Sequence, residues 1–136
     1  MVGRFVRYVI KKQEIMENKS SSLVEYLLVK PFSINQAFQG RRFKTKAYDT
    51  FIQEMLYTMP KKKMIKGEVE IKIWLHLKSI TRSDIDNFCK PIIDCIVKKG
   101  WIADDRYIQH LEVHKIKNMA EAIEIEIKPI NPPTKK

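Results

Sequence analysis

Aspartates crowd into one short part of a strongly basic chain. They lie in Arg82-Ser83-Asp84-Ile85-Asp86-Asn87-Phe88-Cys89-Lys90-Pro91-Ile92-Ile93-Asp94, and again in Trp101-Ile102-Ala103-Asp104-Asp105. The 136 residues carry 26 Lys+Arg against 16 Asp+Glu, a formal charge of +10. A basic surface attracts phosphates. Grouped carboxylates repel them unless a cation sits between. Mg2+ is suited to that place, because it prefers carboxylate, water and phosphate oxygens. Basic chain and aspartate cluster together point to metal-dependent chemistry on nucleic acid.

Such a cluster needs elements that bring its parts together. Asp84 and Asp86 are two apart, so on a helix their side chains would point about 200° apart, whereas on a strand they would share a face. The sequence therefore places them where extended chain enters a helix. Asn87, Lys90 and Asp94 continue along one helical face at spacings of three and four. Asp104-Asp105 follows the turn at Gly100 and begins the return towards a sheet. The helix reads as Asp86–Lys99, with Phe88, Ile92, Cys95 and Ile96 on its buried face. Pro91 conflicts with that span, since an interior proline lacks a donor and clashes with the carbonyl four back. Either the regular helix starts late, near Lys90, or its first turn is distorted.

The other elements follow from periodicity. Val24–Val29 has the β-branched and aromatic content of a strand, stopped before Pro31. Phe32–Lys44 reads as a basic loop with Arg41, Arg42 and Lys44. Thr45 is placed to cap a helix from Lys46 to about Met59, with Tyr48, Phe51, Ile52, Met55 and Leu56 on one face. Pro60-Lys61-Lys62-Lys63 ends it. Glu68–Leu77 alternates Val69, Ile71, Ile73, Leu75 and Leu77 with Glu68, Glu70, Lys72, Trp74 and His76, a strand with one buried face. Tyr107–Lys117 and Glu121–Lys128 read as a hairpin around Asn118-Met119-Ala120. The order is β-α-β-α-β-β, an α/β fold with a mixed sheet and both helices on one face. Residues 1–22 read as an N-terminal extension, either a disordered lead or an extra strand over Phe5–Ile10. Residues 23–129 form the domain and 130–136 a tail.

Composition narrows the function. A 44% hydrophobic fraction is ordinary for one globular domain, and no apolar run approaches the ~20 residues of a membrane span. There is no signal-peptide apolar core. Cys89 and Cys95 lie six apart on different faces of a helix, so reduced thiols and a cytoplasmic location are expected. His76, His110 and His114 are scattered and read as strand-face residues rather than a zinc set.

Each motif has a plainer reading. Asp86 could be an N-cap, and Asp104-Asp105 could be turn residues. Lys90 at i+4 from Asp86 could be one side of a solvated ion pair. Lys61, Lys62 and Lys63 could be a solvated run.

The whole pattern is more specific than its parts. It resembles the RusA family of Holliday-junction resolvases, whose signature has the form D-h-D-N-x-x-K-x-h-h-D (h, apolar), then a turn and a D-D pair. Pro31-Phe32-Ser33-Ile34-Asn35 looks like the family's P-x-S-x-N element. The resemblance spans residues 24–128. It implies a homodimeric Mg2+-dependent (or Mn2+-dependent) endodeoxyribonuclease that acts on four-way DNA junctions in recombination and repair. It gives Asp84, Asp86 and Asp105 as metal-binding catalytic carboxylates and Lys90 as the catalytic or phosphate-contacting lysine. Arg41, Arg42, Lys44, Lys46, Lys61, Lys62, Lys63, Arg82 and Lys90 are the candidate DNA contacts. Thr81-Arg82-Ser83 stands where family members often carry a denser arginine run, and residues 1–22 are longer than the usual lead. The rival reading is a non-catalytic DNA-binding module that uses charge and the aromatics Tyr48, Trp74, Trp101 and Tyr107.

Overall fold

The computed structural model describes residues 22–33, 38–39, 43–44 and 46–130. Strand β1 is Leu23–Leu27. The short β2 (Phe38–Gln39) and β3 (Phe43–Lys44) come next, then helix α1 (Lys46–Thr58), β4 (Val69–Leu77), α2 (Cys89–Lys99), β5 (Ile108–Lys117) and β6 (Ala122–Pro129). The main sheet has the order β1-β6-β4-β5. The architecture is the expected α/β fold with a mixed sheet and two helices. No helix among the described residues is long and apolar enough to cross a membrane. Arg41, Arg42, Asn35, the Thr45 cap, and the extension before Ser22 lie outside the described residues, as does the tail beyond Ile130.

Strand β4 organises the rest. Its alternation puts Val69, Ile71, Ile73 and Leu75 fully inside. They face the same way as Ile123, Ile125 and Ile127 of β6, also fully buried. Against this apolar sheet face pack Tyr48, Phe51, Ile52 and Met55 of α1 and Ile92, Cys95 and Ile96 of α2. These are the faces that the 3.6-residue period selects. Burial, then the charge of Asp94, pushes the Cys95 thiol up to about 12. All three histidines lie on strand faces: His76 on β4, His110 and His114 on β5.

The hairpin expectation is wrong. Both arms exist, but β4 lies between them: β5 pairs parallel to β4, and β6 pairs antiparallel to β4 on its other side. Local alternation cannot distinguish a hairpin from two strands that flank a third. The deciding contacts are non-local. The Asn118 amide donates to the Leu77 carbonyl at 2.8 Å, and the Asn118 side chain meets His76 Nδ1 at 3.1 Å. His76 Nε2 in turn lies 2.5 Å from Glu124 Oε1. The turn is thereby tied across the end of β4, so β6 emerges on the far side. With the Asn118 amide as donor to Nδ1, the Nε2–H of His76 is the donor to Glu124 Oε1.

Three further boundaries differ. The strand expected over Val24–Val29 is Leu23–Leu27, and it ends where the Val29 amide turns back to the Leu27 carbonyl at 2.8 Å. The loop expected over Phe32–Lys44 contains the two-residue ladder of β2 with β3. The helix expected over Asp86–Lys99 is split: a 3-10 turn covers Ile85–Phe88, and the regular helix starts at Cys89. Pro91 then sits in the first turn of α2, where no intrahelical donor is needed. Gly100 closes the helix in the left-handed conformation, φ 83°, with its amide turned back to Ile96 and Val97.

Candidate active site

The unit β4–α2–β5 carries the candidate residues. Residues 78–84 leave β4 without regular structure. Asp84 then stands in extended conformation at the head of the 3-10 turn. Its carbonyl accepts the Asn87 amide at 3.1 Å, while its side chain makes no capping bond. Asp86 lies inside that turn and is not the N-cap that its sequence position allowed; Phe88 heads α2. Both carboxylates are exposed. The 3-10 turn packs against β5, so the pair sits on the side of the sheet that β5 edges.

The tighter winding changes the ion pairing. A 3-10 segment turns ~120° per residue against ~100° for an α-helix, so Asp86 is rotated off the row of Lys90. Among the described residues Lys90 pairs instead with Asp94 Oδ1, one α-turn on, at 3.2 Å. It also reaches Asp105 Oδ2 at 3.9 Å. Asp94 is itself held from α1: the Tyr48 hydroxyl donates to its Oδ2 at 3.3 Å. Burial first, then the Asp94 charge, pushes the Tyr48 phenol up to about 12. The chain Tyr48–Asp94–Lys90–Asp105 thus links α1, α2 and the lead into β5. Asp94 was expected on one helical face with Lys90, at a spacing of four, and Tyr48 on the buried face of α1; the bond between the two was not expected.

The aspartate pair splits by task. The Asp104 side chain accepts the Arg106 amide at 3.3 Å and heads a second 3-10 turn, Asp105–Tyr107. A hydrogen bond with the Asp105 side chain, then that Arg106 amide, holds the Asp104 carboxyl below its ordinary range. Asp104 therefore fills the turn role, and Asp105 is the member facing Lys90. Arg106, which the sequence reading passed over, lies with its guanidinium 5.2 Å from the centre of the Tyr107 ring. It is exposed beside Asp105.

The basic candidates divide similarly. Lys46, Lys61, Lys63 and Arg82 are exposed. Lys62 is engaged at 2.8 Å by Glu25 of β1. Lys44 lies in β3, and only its backbone is described. Of the aromatics, Trp101 is fully buried and Tyr48 nearly so, so neither can stack on a base. The Trp101 indole donates to the Pro60 carbonyl at 3.0 Å.

Three exposed carboxylates offer hard oxygen donors, the chemistry that Mg2+ or Mn2+ requires. Among the described residues no three acidic, imidazole or thiol groups already close into a metal-binding cluster. The donor set fits the ion in kind, and Lys90, just after the turn that bears Asp84 and Asp86, reaches Asp105 of the other segment.

Fold and site together define a small basic α/β protein with exposed carboxylates on the segments around Lys90. The family described as endodeoxyribonuclease RusA matches residues 34–128, most of the chain. The chain belongs to that family, which supports a junction-resolving endonuclease in general terms. No curated protein matches it.

Proposed function

We propose that the chain is a Mg2+-dependent, structure-specific endodeoxyribonuclease that resolves four-way DNA junctions during recombination and repair, acting as a homodimer in the cytoplasm. The observation that carries this reading is the contact of Lys90 with Asp105. It joins two motif segments fifteen positions apart in sequence, beside the turn that bears Asp84 and Asp86. Asp84, Asp86 and Asp105 would hold the cation through carboxylate oxygens. When bound, such an ion neutralises phosphate charge and lowers the pKa of the attacking water.

The chain's own groups do the rest. Lys90 places an ammonium where negative charge grows on the scissile phosphate. Asp94, fixed by Tyr48, keeps that ammonium oriented; it also supplies a counter-charge when Asp105 turns to the cation. Asp104 holds the turn that presents Asp105. Exposed Lys46, Lys61, Lys63 and Arg82, with Arg41, Arg42 and Lys44, would bind the DNA backbone. A junction has two-fold symmetry, and a C2 dimer with two such centres would supply paired cuts on opposing strands.

The test is cleavage of a synthetic four-way junction and of the matching linear duplex, with Mg2+, with Mn2+ and with chelator. The proposal expects symmetric nicks in the junction only, and only with metal. Equal cutting of duplex and junction would remove the structure specificity. Tight junction binding without any cutting would favour the binding module.

A further inference from the structure

The stretch 78–84, which leads from β4 into the 3-10 turn of Asp84 and Asp86, has no helix or strand of its own. Left to itself, such a segment would present two carboxylates in many arrangements. What restrains it comes from across the sheet. Lys115 of β5 stands opposite Leu75 of β4, on the helix-covered face, where the row of β5 runs Leu111, Val113, Lys115. Its ammonium donates to the Ile80 carbonyl at 2.9 Å and also to the Ser83 carbonyl. Ser83 is the residue immediately before Asp84.

The two acceptors mark the two ends of one bend, Ile80–Ser83. A lysine ammonium has three donors, and two of them are used on this bend. No carboxylate among the described residues pairs with Lys115. Its aliphatic stem is partly buried along the core edge. A lysine that meant to serve DNA would keep its head free, as Lys61 and Lys63 do by being exposed. Lys115 instead directs two of its donors to neutral carbonyls, which fixes geometry and leaves one donor uncommitted.

We propose that Lys115 is the positioning residue of the Asp84–Asp86 segment: its ammonium clamps both ends of the Ile80–Ser83 bend and so sets where the two carboxylates stand. The inference rests on the reading that these carboxylates carry the cleavage chemistry. It assigns Lys115 no contact with DNA or with the cation.

The experiment uses the full chain with Lys115→Met, Lys115→Arg and Ser83→Gly. Junction affinity, the slope of log K against log salt, kcat and KM in Mg2+ are measured. Mn2+ binding to the DNA-free protein is read by electron paramagnetic resonance. For Lys115→Met, junction Kd and the salt slope should stay as in wild type. Its kcat should fall by about tenfold or more, and Mn2+ affinity by several fold, as when a group supporting metal ligands is lost. Lys115→Arg keeps donors at that place and should recover most of the loss. Ser83→Gly loosens the same bend while leaving Lys115 intact, so it should reproduce the kcat loss with Kd spared, even where Lys115→Met folds poorly. A folded Lys115→Met with wild-type kcat and Mn2+ affinity overturns the proposal. So does a lowered salt slope with kcat unchanged, which would make Lys115 a phosphate contact. Wild-type protein that binds no Mn2+ and cuts no junction would instead overturn the function proposed above.

Discussion

Replacing Trp101 by Phe would test how the second aspartate segment is held. Trp101 is fully buried, and its position ties three pieces together. Its indole donates to Pro60 at 3.0 Å, its amide donates to Ile96 at 3.1 Å, and its carbonyl accepts the Ile65 amide at 2.9 Å. Phe keeps both backbone bonds and most of the apolar volume. It removes one donor and the five-membered ring. The Pro60 carbonyl is part-buried, and leaving it without its donor costs about 1–3 kcal/mol. The smaller side chain leaves a void worth roughly another 1 kcal/mol. The expected loss is therefore roughly 2–4 kcal/mol, a large fraction of the ~5–15 kcal/mol that a domain commonly has. Urea unfolding followed by far-UV circular dichroism reads it, with the slope of free energy on urea held equal to wild type. A loss below about 0.5 kcal/mol, at the level of an ordinary surface substitution, would refute the reasoning. Pro60 would then be satisfied by other means, and the link from the Lys61–Lys63 run to the Asp104–Asp105 turn would not depend on the indole.

Two other predictions concern the site's surroundings. Tyr48→Phe should cost roughly 1 kcal/mol near neutral pH through the lost bond to Asp94. The phenol's folded pKa of about 12 lies above its ordinary value of 10.0, so the native state holds the proton more tightly. That contribution is whole below pH 10.0 and is lost as pH rises through about 12; denaturation of wild type and variant should show the gap closing in that window, and a constant gap would contradict it. DNA affinity should fall steeply with salt, and Arg41→Ala with Arg42→Ala should reduce the slope of log K by about 1–2. Lys62→Ala should act differently, lowering stability by roughly 1–2 kcal/mol through its ion pair with buried Glu25, with the salt slope unchanged; the reverse pattern in gel shift and melting would reassign Lys62 to the DNA surface.

How much of this was legible in the sequence depends on the range of the interaction. The helix faces and the alternation of β4 were readable because periods of 3.6 and 2 are local properties, and the buried residues of α1, α2 and β4 follow them. Pro91 correctly signalled trouble in the first turn of α2, and the 3-10 turn is the outcome. The pairing of β5 and β6 was not readable. Two alternating runs joined by Asn118-Met119-Ala120 look the same whether they pair or flank a third strand, and the choice rests on Asn118 reaching Leu77 and His76. The same limit applies at the site. Motif spacing brought Asp84, Asp86, Lys90 and Asp105 to attention, whereas the Tyr48–Asp94 link and the Lys115 clamp join residues more than thirty positions apart and leave no local pattern. Trp101 and Tyr48 misled for a related reason: an aromatic suited to stacking on a base is equally suited to a core.

The central claim is that the exposed carboxylates facing the Lys90 side of the sheet carry metal-dependent cleavage. Asp84→Asn, Asp86→Asn and Asp105→Asn each keep the shape and remove one charge, and Asp104→Asn removes a charge from the residue that holds the turn. Junction cleavage in Mg2+ should fall by about a hundredfold or more for the first three, with junction binding kept or tightened, and by much less for Asp104→Asn. Each variant is to be checked for a native circular-dichroism spectrum. Folded Asp84 and Asp86 variants that cut at the wild-type rate would contradict the account and leave the protein a junction-binding module.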